Sequence, residues 1–198
     1  ETIRAAYTAK GGGRLRAAKT WKPIEQATMS YGHGISVNLV QMARAYTMFA
    51  TDGEVKQATL FKTEGHVAGR QALRPETARI VRAMLESAAQ PGGTAPKAQV
   101  VGYRVAGKTG TSHKLEGRGY TNKYISSFVG FAPVSNPRLI VAVMIDEPTA
   151  GQHYGGAVAA PVFSNVTGAA LRALGVPTDA PVNNVILPPD TVEIREET

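Results

Sequence analysis

The stretch Gly107-Lys108-Thr109-Gly110-Thr111-Ser112 packs one ammonium, two threonine hydroxyls and a residue without a side chain into the four positions from Lys108 to Thr111. It follows the β-like run Tyr103-Arg104-Val105-Ala106 and leads into a polar loop that contains glycine. On a strand, side chains alternate between faces, so Thr109 and Thr111 share one face. Lys108 supplies charge and the threonines supply hydroxyl donors. Together they form a compact device for holding an anionic group. Gly110 lets a substrate backbone come close to the strand.

Other residue types that do chemistry are scattered. His113 follows the lysine-threonine motif and reads as an exposed loop histidine. His153 and Tyr154 lie in a glycine-rich loop, where Tyr154 is the better candidate for packing on apolar parts of a substrate. His33 and His66 have no second histidine at helical spacing, which argues against a zinc site. Asp146-Glu147 precedes Pro148 at the end of an apolar run and reads as a turn or cap rather than a carboxylate pair for glycoside hydrolysis. Gly92-Gly93 and Gly155-Gly156 lack the pattern of a phosphate-binding or dinucleotide-binding loop. No metal and no cofactor is expected.

Composition narrows the class. The chain has 198 residues, 43% of them hydrophobic, which suits one globular domain or most of one. It has no cysteine, which excludes disulfides and cysteine-based metal sites. The net charge is +7. The basic excess gathers in residues 1–22, where Arg4, Lys10, Arg14, Arg16, Lys19 and Lys22 face only Glu1. The acidic excess gathers near the C-terminus, in Asp179, Asp190, Glu193, Glu196 and Glu197 against Arg195. No helix-turn-helix, RNA-recognition or zinc-finger pattern accompanies the basic charge, so nucleic acid is not an expected partner. Anionic cell-wall polymer or a membrane surface is the milder alternative. The longest aliphatic run, Leu139 to Ile145, falls far short of the ~20 residues a membrane helix needs.

The elements that must position Lys108 follow from spacing. Residues 1–20, with Gly11-Gly12-Gly13, read as a flexible basic loop or insertion. Leu39, Met42, Tyr46 and Phe49 recur at helical spacing between a cap at Asn38 and a stop at Gly53. A strand or two is expected in 54–63. Pro75 opens a second helix, with Ile80, Met84 and Ala88 on its apolar face. Val100 to Thr111 reads as the strand that bears the motif. Residues 124–132 and 138–146 read as antiparallel strands joined by a tight turn at Ser135-Asn136-Pro137. The second of these is apolar on both faces, as a central strand covered by helices would be. A last helix begins near Pro161, with Val162, Val166, Ala170 and Leu174 inward and Gly175 as its stop. Residues 177–198 read as an extended, poorly packed, proline-rich acidic tail.

Taken in order, the motif, then Tyr124 to Pro133, Leu139 to Ile145, Asp146-Glu147-Pro148, His153-Tyr154-Gly155-Gly156 and Ala160 to Phe163 resemble the C-terminal part of the transpeptidase domain of class B penicillin-binding proteins. The division-specific type, like penicillin-binding protein 3, is the nearest. Trp21, Ile24 to Ala27 and Ser30 to Val37 match that type too, so the likeness runs from about Arg14 to Val176. It implies an α/β fold of α+β type, an antiparallel sheet with helices on both faces, incomplete in this chain and filling residues 21–176.

That family uses a Ser-x-x-Lys for nucleophile and base, a Ser-x-Asn, and a Lys-Thr/Ser-Gly. No serine here is followed three residues later by lysine. Ser36-Val37-Asn38 spells the second element, but it leads straight into a helix that Asn38 caps. Only the third element is present, and the rest of the transpeptidase domain is expected outside this chain.

The resemblance implies a peptidoglycan D,D-transpeptidase that cross-links stem peptides during septation through a serine acyl-enzyme and is inhibited by β-lactams. It implies that Lys108 faces the serine, that Thr109 and Thr111 bind the carboxylate of D-Ala-D-Ala or of a β-lactam, and that the Thr111 N–H forms half of an oxyanion hole. Gly110 and Tyr154 would line the substrate groove. Stem peptides, β-lactams and membrane proteins of the division complex are the implied partners. The implied location is the periplasmic face of the inner membrane, with the anchor outside this chain. A serine β-lactamase or penicillin sensor of the same fold, and a non-catalytic scaffold that binds cell-wall peptide, stay open.

Overall fold

The computed structural model describes residues 17–30, 35–65, 67–116 and 119–187. The expected N-terminal loop lies mostly outside these residues, as do His33, His66 and positions 188–198 of the tail. The chain divides into two compact units, residues 1–42 and 43–198. In the first unit, Ala18–Thr20 form a 3₁₀ turn and α1 spans Pro23–Ser30. Helix α2, Leu39–Ala50, begins in this unit. The Asn38 carboxamide oxygen accepts from the Gln41 N–H at 2.8 Å, and the Gln41 side chain accepts from the Asn38 N–H at 3.0 Å. This reciprocal cap satisfies two of the N–H groups that a helix start leaves free, as expected for Asn38.

The second unit is built on a three-stranded antiparallel sheet in the order β3-β4-β5, with β3 over Ala106–Glu116, β4 over Gly119–Ala132 and β5 over Leu139–Asp146. Thr109 pairs with Phe128 and Thr111 with Ser126, and Phe128 pairs in turn with Val143. The motif strand starts later and runs further than the sequence suggests. Residues 100–103 instead make a turn, with Gly102 at φ 80° and a bridge between Val100 and Tyr103. β4, rather than β5, is the central strand, because β5 pairs only with β4 among the described residues. A short two-stranded ribbon pairs β1, Glu54–Val55, with β2, Arg70–Gln71.

Helices lie on both faces, as the α+β expectation has it. On one face Phe128, Val143 and Ala132 pack with Phe163 and Leu171 of α5, Ala160–Ala173, and with Val105 and Ala98. Phe128 and Phe163 meet edge to face at 4.7 Å. Both rings are fully buried. Each contributes roughly 1.5–3 kcal/mol by leaving water, with about 0.5–1.5 kcal/mol more for the ring geometry. On the other face Ala106, Phe131 and Val134 pack with Tyr46, Phe49 and Ala50 of α2 and with Leu85 of α3, Pro75–Ala88. Burial there pushes the Tyr46 hydroxyl up to about 12. Arg82 of α3 donates to the carbonyls of Phe49 and Thr51 at 2.7 Å each, closing the end of α2.

The inward faces of two helices differ from expectation. On α3, Ala78 and Leu85 face the core while Ile80 and Met84 are 57% and 65% exposed. On α5, Ala160, Phe163, Thr167, Gly168 and Leu171 are buried, whereas Val162, Val166 and Leu174 are exposed. Small residues let these helices approach their neighbours closely, so the larger aliphatic stripe falls outside. The tail is not loosely held over 177–187. The Asp179 carboxylate accepts from the Arg104 N–H at 2.7 Å and the Ser135 N–H at 3.1 Å, and the Asn184 side chain bonds Gly102, Val100 and Tyr103.

Candidate active site

β3 lies at the edge of its sheet, and its outer side pairs with no strand among the described residues. An edge of this kind offers backbone donors and acceptors to an added peptide strand. Lys108 is exposed there. Its ammonium donates to the Thr109 hydroxyl at 3.0 Å and lies 3.4 Å from the Thr109 carbonyl oxygen. The lysine chain thus curls around the strand to its neighbour, joining cation and hydroxyl although the two residues leave opposite faces. Thr109 itself is 8% exposed, and its hydroxyl donates to the Thr94 hydroxyl at 3.3 Å. The Thr111 hydroxyl accepts from the Gly155 N–H at 3.0 Å. Both hydroxyls are therefore held by the protein's own groups, which fixes their rotamers where a ligand would meet them.

Gly110 has a reason to be bare that the sequence does not disclose. A Cβ there would come within 2.6 Å of the Ser127 hydroxyl, which reaches across from β4 and donates to the Gly110 carbonyl at 3.2 Å. Gly155 is under a similar constraint. A Cβ would run into the Ser127 carbonyl and come within 2.8 Å of the Gly110 carbonyl. The loop before α4, Gly155–Val158, therefore lies flat on β3 and β4. Ser126, fully buried, donates its hydroxyl to the His153 carbonyl and ties the same loop to the sheet. Tyr154, immediately before Gly155, is thereby held one residue from the group that bonds Thr111. The structure thus gathers Lys108, Thr109, Gly110, Thr111 and Tyr154 at one end of the sheet edge.

A run of rings adjoins them. His113 contacts Tyr124 with centroids 4.4 Å apart, Tyr124 stacks on His153 at 3.8 Å, and His153 contacts Tyr154 at 4.5 Å. His113 is a strand residue, not a loop residue. It pairs across the ladder with Tyr124, on the same face as Thr109 and Thr111. The sequence contains the signal for this, since alternation from Thr111 through the hairpin places His113 opposite Tyr124.

Beyond the rings, charges clamp the hairpin. The Lys114 ammonium lies 2.9 Å from the Asp146 carboxylate and 2.7 Å from that of Glu147, and Lys123 lies 2.9 Å from Glu116. Lys114 holds the Glu147 carboxyl below the usual carboxylate range. Asp146-Glu147 is thus a turn anchored by ion pairs, as its place before Pro148 suggests, with Glu147 at φ 51°. Among the described residues no group of three or more histidine, aspartate or glutamate side chains is placed to hold a metal ion.

Ammonium, hydroxyls and an open strand edge at one place can bind an extended peptide by its backbone and hold its carboxylate terminus. The apo transpeptidase domain of Burkholderia pseudomallei penicillin-binding protein 3 superposes with a TM-score of 0.81 and 52% identity, covering 90% of this chain and 59% of that one. The probable peptidoglycan D,D-transpeptidase PenA of Neisseria flavescens is 43% identical over 92% of this chain and 46% of its own length. The peptidoglycan D,D-transpeptidase FtsI of Escherichia coli K12 is 43% identical over 81% of this chain and 27% of its own length. The chain spans less than half of the length of these two relatives. The profile of the penicillin-binding protein transpeptidase domain matches residues 8–168, and the chain belongs to that family.

Proposed function

We propose that this chain supplies the substrate-binding strand of a peptidoglycan D,D-transpeptidase acting in septal wall synthesis, and that the nucleophilic serine lies outside residues 1–198. The observation that carries the reading is the sheet edge at Lys108 to Thr111, with its ammonium on the Thr109 hydroxyl at 3.0 Å. An acyl donor lies along β3 as an added strand, its terminal carboxylate drawn to Lys108, Thr109 and Thr111. The Lys108 charge favours the deprotonated nucleophile in the intact site. The Thr111 N–H is one oxyanion donor, a kind of group whose loss costs about 10²–10³ in rate. Tyr154 and the adjoining rings form the wall against which apolar parts of the substrate rest. β-Lactams occupy the same place and acylate the serine. No described helix is long and apolar enough to cross a membrane. A periplasmic site with an anchor elsewhere, stem peptides as substrate, and division-complex partners complete the reading.

Labelling of the full-length protein with a fluorescent penicillin tests it. A stable covalent adduct at a serine outside this chain is expected. Rapid turnover of the adduct points to a β-lactamase, and no adduct at all points to a non-catalytic scaffold. Either of the last two results overturns the transpeptidase assignment.

A further inference from the structure

A further concave site lies along α5, beside the face that this helix turns to the sheet. It is a cavity of about 390 Å³, lined among others by Lys97, Val101, Asn165, Gly168, Arg172 and Leu187. This lies within the range of small-molecule sites. Two cations line it. Lys97 is half-buried, and neither Lys97 nor Arg172 has a carboxylate partner among the described residues.

Gly168 sets where the Arg172 guanidinium lies. A Cβ at Gly168 would come within 3.3 Å of an Arg172 Nη and 3.1 Å of Val100 Cγ1. The bare helix surface thus lets the guanidinium rest against α5 at the cavity wall. The neutral polar lining is largely occupied by the protein itself. The Ser164 hydroxyl donates to the Gln99 carbonyl at 2.6 Å, and the Gln99 carboxamide pairs with both backbone groups of Ile186. The rim is apolar and wet, with Val101 51% and Leu187 57% exposed.

From two cations without a carboxylate partner among the described residues, beside an exposed apolar rim, we infer that this cavity binds a small amphiphilic anion, a phosphate or carboxylate head with a short apolar body. The head sits between Lys97 and the Arg172 guanidinium, with the Asn165 amide, which bonds no other group among the described residues, as a third donor. The body covers Val101 and Leu187. This site is separate from the Lys108 edge, so it does not depend on the catalytic reading.

Titration of the full-length protein with hexyl phosphate, inorganic phosphate and hexanol, each followed by calorimetry, tests the inference. Hexyl phosphate should bind about tenfold or more tightly than either half alone, and its affinity should fall as salt rises. Arg172→Gln and Lys97→Gln should each weaken it by about tenfold, the loss expected for one charged hydrogen-bond donor, with penicillin labelling unchanged. Equal affinity for inorganic phosphate would mean a free-anion site and overturn the amphiphile. Undiminished binding in the Arg172 and Lys97 variants, or no binding of hexyl phosphate, would overturn the site.

Discussion

The two halves of β3 are held by opposite means. From Ala106 to Thr111 the strand is fixed by close backbone approach. Ser127 crosses onto Gly110, the Gly155 loop lies on both strands, and Phe128 fills the core beneath. Further along, Ser112, His113 and Glu116 are exposed, and the strand is held by ring contacts and ion pairs, with Lys114 bridging Asp146 and Glu147. Packed backbone leaves no adjustable geometry, which suits the half that presents Lys108 and the two threonine hydroxyls. Exposed ion pairs contribute little and respond to salt and pH, which suits a half that only steadies the hairpin.

Substitutions should separate the two halves. Gly155→Ala forces a methyl group against the Gly110 and Ser127 carbonyls. It should cost roughly 1–3 kcal/mol in thermal denaturation. Because that loop positions Thr111 and Tyr154, the penicillin acylation rate should also fall by about tenfold or more. If acylation is untouched, the packed half does not depend on that contact. Lys114→Ala removes the centre of the outer clamp, yet should lower the thermal midpoint far less than Gly155→Ala does, by an amount that shrinks further at high salt.

The smallest effect is one of pH. Because Lys114 lowers the Glu147 carboxyl in the folded state, the clamp's contribution is present above the unfolded carboxylate value of about 4.3. It is lost as pH falls through the lower folded value. Wild type and Glu147→Gln should therefore differ slightly in stability at pH 6 and converge in acid. A gap that persists to pH 2 would show that the clamp is not electrostatic.

Much of the frame was legible from residue types and spacing. Asn38 announced its helix, Ser135-Asn136-Pro137 announced the β4–β5 turn, and period-two alternation placed Thr109 with Thr111. The inward faces of α3 and α5 were not legible. Each carries two apolar stripes, one of large aliphatics and one rich in alanine, glycine or threonine, and spacing alone does not say which touches the core. Close packing against the sheet selected the small residues around Phe163 and Leu171, leaving Val162, Val166 and Leu174 outside. The bareness of Gly110 was legible but its cause was not, because Ser127 is seventeen positions away and meets it only through the register of β4. The run of rings depends on the same register together with the tie from Ser126 to the His153 carbonyl.

The most direct measurement compares two lysines six positions apart on one strand. In the full-length protein, the penicillin acylation rate of Lys108→Ala should fall by about 10² or more, as expected when a group acting on nucleophile and substrate carboxylate is removed. Lys114→Ala should stay within about threefold of wild type. Equal rates for both variants, with Lys108→Ala acylating as fast as wild type, would contradict the role given to the Lys108 edge.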